Sequence, residues 1–115
     1  MQIGIDLGAS KIEHVLLDDV GNEHHRERTE VPKNYKDTLS IIKKIVIKLE
    51  RKAGKELPVG VCHPGIHSIQ TGLVKNAPNS FWINGKPLQR DLRSEIGKEI
   101  YCENDANCFA LSEAI

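Results

Sequence analysis

Two short segments of the chain carry residue types suited to phosphate binding and proton transfer. The first, residues 6–11 (DLGASK), starts with a carboxylate and runs through small residues to a hydroxyl and an ammonium group. Small residues let backbone N–H groups approach phosphate oxygens, and a carboxylate can hold the water shell of Mg²⁺. The segment matches neither GxxxxGK[ST] nor GxGxxG. It predicts a phosphate-binding turn, with a plain β-hairpin turn as the alternative; the candidates are Asp6 (also for Mg²⁺ through water), Gly8, Ala9, Ser10 and Lys11.

The second segment, residues 103–107 (ENDAN), places acidic and amide side chains between a short apolar run and a helical pattern. Strand ends that open a helix are where α/β sheets bind ligands. A helix N-terminus favours negative charge, so Asp105 would be ionised and able to accept a proton from a hydroxyl nucleophile. Helix capping is the alternative, since Asn and Asp are common first residues of helices.

A third candidate combines two segments: the end of an apolar run with the turn after it, residues 60–65 (GVCHPG), and the loop rich in Asn and Gly at residues 76–85 (NAPNSFWING). Their amides suit the hydroxyl groups of a sugar, and Trp82 could offer an apolar face. Inward packing of Trp82 within an ordinary surface loop is the interpretation we favour for that side chain.

Soft metal ligands are present but lack the spacing of a metal site or of a hydrolase. No CxxC, HExxH or GxSxG motif occurs. We expect structural or solvent-facing roles for all of these side chains, namely His24, His25, Cys62, His63, His67, Cys102 and Cys108.

The elements that must position these residues follow from hydrophobic spacing. Alternation predicts strands near residues 2–7 and 12–17, followed by a polar strand at 23–30. Apolar residues spaced 4, 3, 4, 3, 4 from Tyr35 to Ala53 predict a helix, capped by Asn34 and ended by Gly54. Further strands are predicted at 57–62, 71–75 and 100–103, and further helices at 88–96 and 104–115. The order predicts an α/β fold with a mixed sheet.

Composition narrows the class of protein. The chain has 115 residues, which is one ordinary domain. It carries 16 Lys and Arg against 16 Asp and Glu, so it lacks the basic excess typical of a nucleic-acid binder. With no leader-like start and no long apolar run, we expect a cytoplasmic protein without a membrane segment.

Taken together, the segments resemble the N-terminal half of sugar kinases of the ROK family. The loop at 76–85 is most similar to the fructokinase and mannokinase branch, with N-acetylglucosamine kinases as near relatives. The matching pieces are collinear: residues 4–11 (GIDLGASK), 64–65 (PG), 75–80 (KNAPNS), 82–88 (WINGKPL) and 103–114 (ENDANCFALSEA).

The resemblance implies a ribonuclease H-like, actin-like ATPase lobe with a mixed five-stranded sheet and flanking helices. It implies ATP and Mg²⁺ as cofactors, fructose as the first candidate sugar and N-acetylglucosamine as the alternative. Asp105 matches the catalytic base and residues 6–11 the first phosphate loop. Gly65, Asn79 and Asn104 match positions that contact sugar, as does Asp105.

Two departures from the family pattern bear on the site. The family usually has Gly and Thr where this chain has Ala9 and Ser10, so a Cβ at Ala9 is expected to weaken phosphate binding if the turn needs a positive φ. Cys62 and His63 replace what are commonly a Gly and an apolar residue, and His63 either tunes sugar choice or fills space.

The family's second phosphate loop, adenosine segment and zinc cluster belong to a C-terminal lobe, which we expect to be absent from residues 1–115. We therefore expect little activity from this chain alone, no zinc cluster of that kind in it, and self-association through the incomplete face or a homo-oligomer. A non-catalytic sugar-binding lobe and a fragment of a ROK transcriptional regulator are the rival hypotheses.

Overall fold

The computed structural model describes residues 1–77 and 80–104, and for His67 and Phe81 the backbone alone. Its elements run in the order β1 (Gln2–Leu7), β2 (Lys11–Leu17), β3 (Glu23–Glu30), α1 (Tyr35–Ala53), β4 (Val59–His63), β5 (Ile66–His67), β6 (Val74–Lys75), a 3-10 turn (Phe81–Ile83), α2 (Leu88–Ile96) and β7 (Ile100–Asn104).

Five strands form one mixed sheet in the order β3-β2-β1-β4-β7, which confirms the mixed five-stranded sheet that the family resemblance implies. β1, β2 and β3 make an antiparallel meander, whereas β4 lies parallel to β1 and β7 lies parallel to β4. The three parallel strands therefore all end at the same edge of the sheet.

The apolar core lies on one face of this sheet, beneath the two helices. Paired residues such as Ile3, Val59 and Ile100 share a row across the parallel strands and are buried. α1 contacts β1 and α2, and α2 contacts β7, so both helices cover this face. Among the described residues, neither helix has the length and apolar composition needed to cross a bilayer.

Helix α1 has the ends that its sequence predicts. The Asn34 side chain accepts a hydrogen bond from the Asp37 N–H at 2.8 Å, which satisfies one of the unpaired amides of the first turn. Gly54 adopts a left-handed φ of 75° and its N–H bonds back to the Glu50 and Arg51 carbonyls.

Three predicted boundaries differ from the structure. β4 begins at Val59 rather than at residue 57, because the Leu57 N–H donates to the Glu50 carboxylate instead of to a strand. Of the strand predicted at 71–75, only the last two residues form a strand, which is β6. Its partner, β5, is not predicted from the sequence. β7 extends to Asn104, and the helix predicted beyond it lies outside the described residues.

A partly buried ion pair ties the end of α1 to the loop before β7. One oxygen of Glu50 accepts hydrogen bonds from Lys98 Nζ at 2.7 Å and from the Leu57 N–H at 2.8 Å. Lys98 also donates to the Leu57 carbonyl. Burial alone would raise the pKa of Glu50, but the two hydrogen bonds and the Lys98 charge outweigh it and lower that pKa below 4.5.

We expect Glu50→Gln to lower the free energy of unfolding by about 1–2 kcal/mol at pH 7. The folded state holds the pKa of Glu50 below its unfolded value, so this stabilisation is present above pH 4.5 and is lost as the pH falls through the folded pKa. Urea unfolding from pH 7 to pH 3 should show the difference between wild type and variant shrinking. The exposed Glu56→Gln is the control; a gap that widens towards acid would contradict the assignment.

Candidate functional site

The carboxyl ends of the three parallel strands bring most of the predicted site residues to one edge of the sheet. Asp6 of β1 pairs with Cys62 of β4, and Cys62 pairs with Glu103 of β7. Paired residues point to the same side, so both acidic side chains lie on the face away from the helices. Neighbouring strands are about 4.8 Å apart, which places the backbones of Asp6 and Glu103 roughly 10 Å from each other.

The turn between β1 and β2 is held tightly from within. The Gly8 N–H donates to the Lys11 carbonyl at 3.0 Å, and a Cβ on Gly8 would lie 2.9 Å from that same oxygen. Gly8 is therefore needed for close approach within the turn. The Ser10 carbonyl accepts from the Val31 N–H at 3.1 Å, which anchors the turn to the chain that leaves β3.

Two backbone N–H groups of this turn take no part in its internal hydrogen bonds. Ala9 and Ser10 are exposed, and within residues 1–77 and 80–104 their N–H groups have no acceptor. Adjacent unpaired amides form the kind of concavity that binds anions. Lys11 lies beside them, and its ammonium group makes only a long, exposed contact of 3.5 Å with Glu30.

The expected penalty at Ala9 is not found. Among the described residues other than glycine, only Asn76 has a positive φ, so the Cβ of Ala9 is accommodated without backbone strain. The turn tolerates alanine because its tight contact falls on the preceding residue, Gly8.

Gly65 lies just beyond β4 at a point where only glycine fits. Its φ is +74°, and a Cβ there would collide with the Lys75 carbonyl oxygen and lie 3.1 Å from the Cβ of Ala77. The Gly65 backbone therefore packs directly against residues 75–77, which begin the Asn-rich loop.

An internal clamp that the sequence does not reveal shapes the same loop. The Asn84 side chain accepts from the Ala77 N–H at 3.0 Å and donates to the Ala77 carbonyl at 3.1 Å. It thereby replaces a strand partner for this residue. Trp82 is 8% exposed and lies in the core, which confirms the predicted inward packing.

Two further predicted residues, Asn79 and Asp105, lie outside the described residues. Asn104, which precedes Asp105, is the last residue of β7 and pairs with His63 at the end of β4. His63 is fully buried, and its Nδ1 lies 2.9 Å from the Pro64 carbonyl. Since a carbonyl only accepts, Nδ1 carries the proton in this bond. Burial favours the space-filling interpretation of His63 over contact with a ligand.

The thiol of Cys102 is not a candidate nucleophile or metal ligand. It lies on the core side of β7, and burial raises its pKa to about 12. At neutral pH it is therefore a protonated, unreactive thiol.

Comparison with known proteins shows similarity over nearly the whole chain. The family model described as "ROK family" matches residues 2–115. The N-acetyl-D-glucosamine kinase of Mannheimia succiniciproducens is 38% identical over 115 residues, and that of Haemophilus influenzae is 39% identical over 115 residues. Each alignment covers 99% of this chain and 38% of the relative, so the chain spans well under half the length of these proteins.

Solved structures agree with the sheet order and helices described above. A ROK hexokinase from Thermus thermophilus superposes with a TM-score of 0.83 at 27% identity, covering 97% of this chain and 37% of that one. A ROK glucokinase from Streptomyces griseus, solved with glucose and AMPPNP, superposes with a TM-score of 0.80 at 25% identity, covering 95% and 34%.

Proposed function

Because the chain belongs to the ROK family, we propose that it forms the N-terminal lobe of an ATP-dependent sugar kinase, supplying the catalytic base, one phosphate loop and the sugar contacts. The fold is that of an actin-like ATPase lobe. The observation that carries the proposal is the shared edge of β1, β4 and β7. It holds Asp6 and the end of β7, from which Asp105 follows directly.

The residues of the β1–β2 turn fit the phosphates and metal that ATP would bring. The unpaired amides of Ala9 and Ser10 suit phosphate oxygens, and Lys11 adds positive charge beside them. Asp6 presents an exposed carboxylate at the edge, suited to the water shell of Mg²⁺. Bound ATP would supply the γ-phosphoryl group and Mg²⁺ would neutralise its charge; this turn would orient both.

Asp105 is proposed as the group that takes the proton of the sugar hydroxyl. As the hydroxyl oxygen bonds to phosphorus and the bond to the ADP oxygen breaks, the proton passes to the Asp105 carboxylate. Gly65, Asn79 and Asn104 are proposed to contact the sugar. The proposed role of Gly65 is indirect: because it has no side chain, residues 75–77 can pack against its backbone at this edge of the sheet.

We propose N-acetylglucosamine as the sugar, in place of the fructose that the sequence alone favours. The two relatives at 38% and 39% identity are N-acetyl-D-glucosamine kinases, and this supports the sugar that was the alternative. Fructose remains the competing candidate.

The sugar assignment is tested with the protein encoded by the complete reading frame that contains this chain. Initial rates with ATP and Mg²⁺ are measured for N-acetylglucosamine, fructose, mannose and glucose. We expect kcat/KM to be highest for N-acetylglucosamine, by at least about tenfold, which corresponds to about 1.4 kcal/mol of transition-state binding. A higher kcat/KM for fructose would overturn the sugar while leaving the kinase assignment intact.

A further inference from the structure

Two histidine rings lie next to each other on β2 and on the edge strand β3, away from the proposed kinase site. His14 of β2 is 2% exposed and His25 of β3 is 14% exposed, with ring centroids 5.8 Å apart. Of the adjacent pair predicted to be structural or solvent-facing, His24 is 47% exposed and bonds to Asp18 at 2.8 Å. His25 instead shares a side with His14, because the β2–β3 register pairs it with the buried Leu16.

The buried imidazoles lack the hydrogen bonds that such groups normally make. Within the part of the chain that the structure describes, both ring nitrogens of His14 and Nε2 of His25 are buried without a well-formed hydrogen bond, although the Glu27 carboxylate lies within ion-pair distance of both Nε2 atoms. An unsatisfied buried polar group costs about 1–3 kcal/mol, so a native structure that keeps one invites an explanation. A neutral imidazole has one lone pair, so one nitrogen of each ring can bind a ligand that accepts lone pairs.

A carboxylate completes the cluster from the next position on the same side of β3. Glu27 Oε1 lies 3.2 Å from His25 Nε2, and Glu27 Oε2 lies 3.5 Å from His14 Nε2. The three ligand atoms all lie within 4.8 Å of one another. Tetrahedral Zn²⁺ with bonds of about 2.0–2.1 Å needs its ligand atoms roughly 3.3 Å apart, and the 3.2 Å between Glu27 Oε1 and His25 Nε2 matches that spacing.

We propose that His14, His25 and Glu27 form a binding site for a divalent transition metal of the Zn²⁺ class. Two imidazoles and one carboxylate are a ligand set that zinc accepts, with water in the fourth position. Glu27 is 42% exposed, which leaves a path from solvent to the ion. The metal would link β3 to β2 and take the lone pair of one nitrogen of each ring, while the other nitrogen of each ring would carry a proton.

The charges around the cluster are compatible with an added cation. Burial, the largest influence, lowers the pKa of His14, which opposes a positive charge on its ring. Lys48 of α1 donates to Glu27 Oε2 at 2.8 Å, so this ammonium group shares the carboxylate with a bound metal. The other oxygen, Oε1, stays on the His25 side. The site is separate from the zinc cluster that the family resemblance assigns to a C-terminal lobe.

The test is a titration of the metal-free chain with Co²⁺ and with Zn²⁺ at pH 7. We expect one Co²⁺ per chain with the intense visible bands of tetrahedral coordination, displacement by Zn²⁺, and a rise in Tm with Zn²⁺. His25→Gln and Glu27→Gln should each weaken binding by at least about tenfold. His24→Gln, the adjacent exposed histidine, is the matched control and should bind as wild type does.

A second variant separates loss of a ligand from loss of folding. Lys48→Met removes the cation that competes for Glu27 and should bind Zn²⁺ at least as tightly as wild type. Circular dichroism confirms that each variant is folded before titration. No stoichiometric binding by wild type, weaker binding by Lys48→Met, or equal losses for His24→Gln and His25→Gln would overturn the proposal.

Discussion

Replacing Asp105 by asparagine is expected to lower kcat for sugar phosphorylation by about 10²–10⁴-fold in the protein of the complete reading frame. Asparagine keeps the size of the side chain and its hydrogen-bonding capacity but cannot accept the hydroxyl proton. The sugar would still bind, so KM should change far less than kcat. Steady-state kinetics with N-acetylglucosamine and ATP measure both quantities.

The matched control for this prediction is Glu99→Gln, which also removes one negative charge close to β7. Glu99 is 55% exposed and pairs with Arg93 at the surface, so its loss should leave kcat nearly unchanged. A folded Asp105→Asn variant with full kcat would show that another group takes the proton.

Gly65→Ala is expected to be the most damaging single methyl addition in the described part of the chain. The added Cβ meets the Lys75 carbonyl oxygen, and alanine also resists the left-handed φ of +74°. The backbone strain and the forced shift of residues 75–77 together should lower the free energy of unfolding by roughly 3–5 kcal/mol. Urea unfolding of the chain measures this loss directly.

Gly72→Ala separates the two causes. Gly72 has nearly the same φ, +72°, but a Cβ there would meet nothing within 4 Å. Its loss should be limited to the conformational cost, about 1–2 kcal/mol. Equal losses for the two variants would mean that the contact between Gly65 and residues 75–77 contributes little to stability.

The parts of the fold that the sequence predicts well are those governed by local spacing. β3 and α1 have their predicted bounds, and α1 is capped by Asn34 and Gly54 because each satisfies an unpaired backbone group nearby in sequence. The mixed character of the sheet follows from three strands with tight turns and later strands joined through helices, whereas its five strands came from the family resemblance.

What the sequence does not predict depends on contacts between distant residues. β5 has only two residues, too few to show alternation, and the strand predicted at 71–75 is shortened to the two residues of β6. The Asn84 clamp on Ala77 looks in the sequence like one more amide in a ligand-binding loop. The inward turn of His25 depends on the register of β3 against β2, which polar residues specify only weakly.

The candidate site was predictable to a similar degree. The positions of Asp6 and Asn104 at one edge follow from strand ends in a parallel arrangement, and Gly8 follows from the need for a tight turn. The penalty expected at Ala9 depended on a positive φ, which the structure does not show there, and the sequence alone does not predict the φ of a turn residue. The loop pattern alone favoured fructose, and the names of the relatives changed the proposed sugar to N-acetylglucosamine.

The most direct test of the account is transfer of labelled γ-phosphate from ATP to N-acetylglucosamine by the protein of the complete reading frame, with Asp105→Asn measured beside it. We expect a labelled sugar phosphate with the wild type and a loss of at least about 10²-fold with the variant. A folded wild-type protein that labels none of the four sugars above background would contradict the assignment of this chain to a sugar kinase.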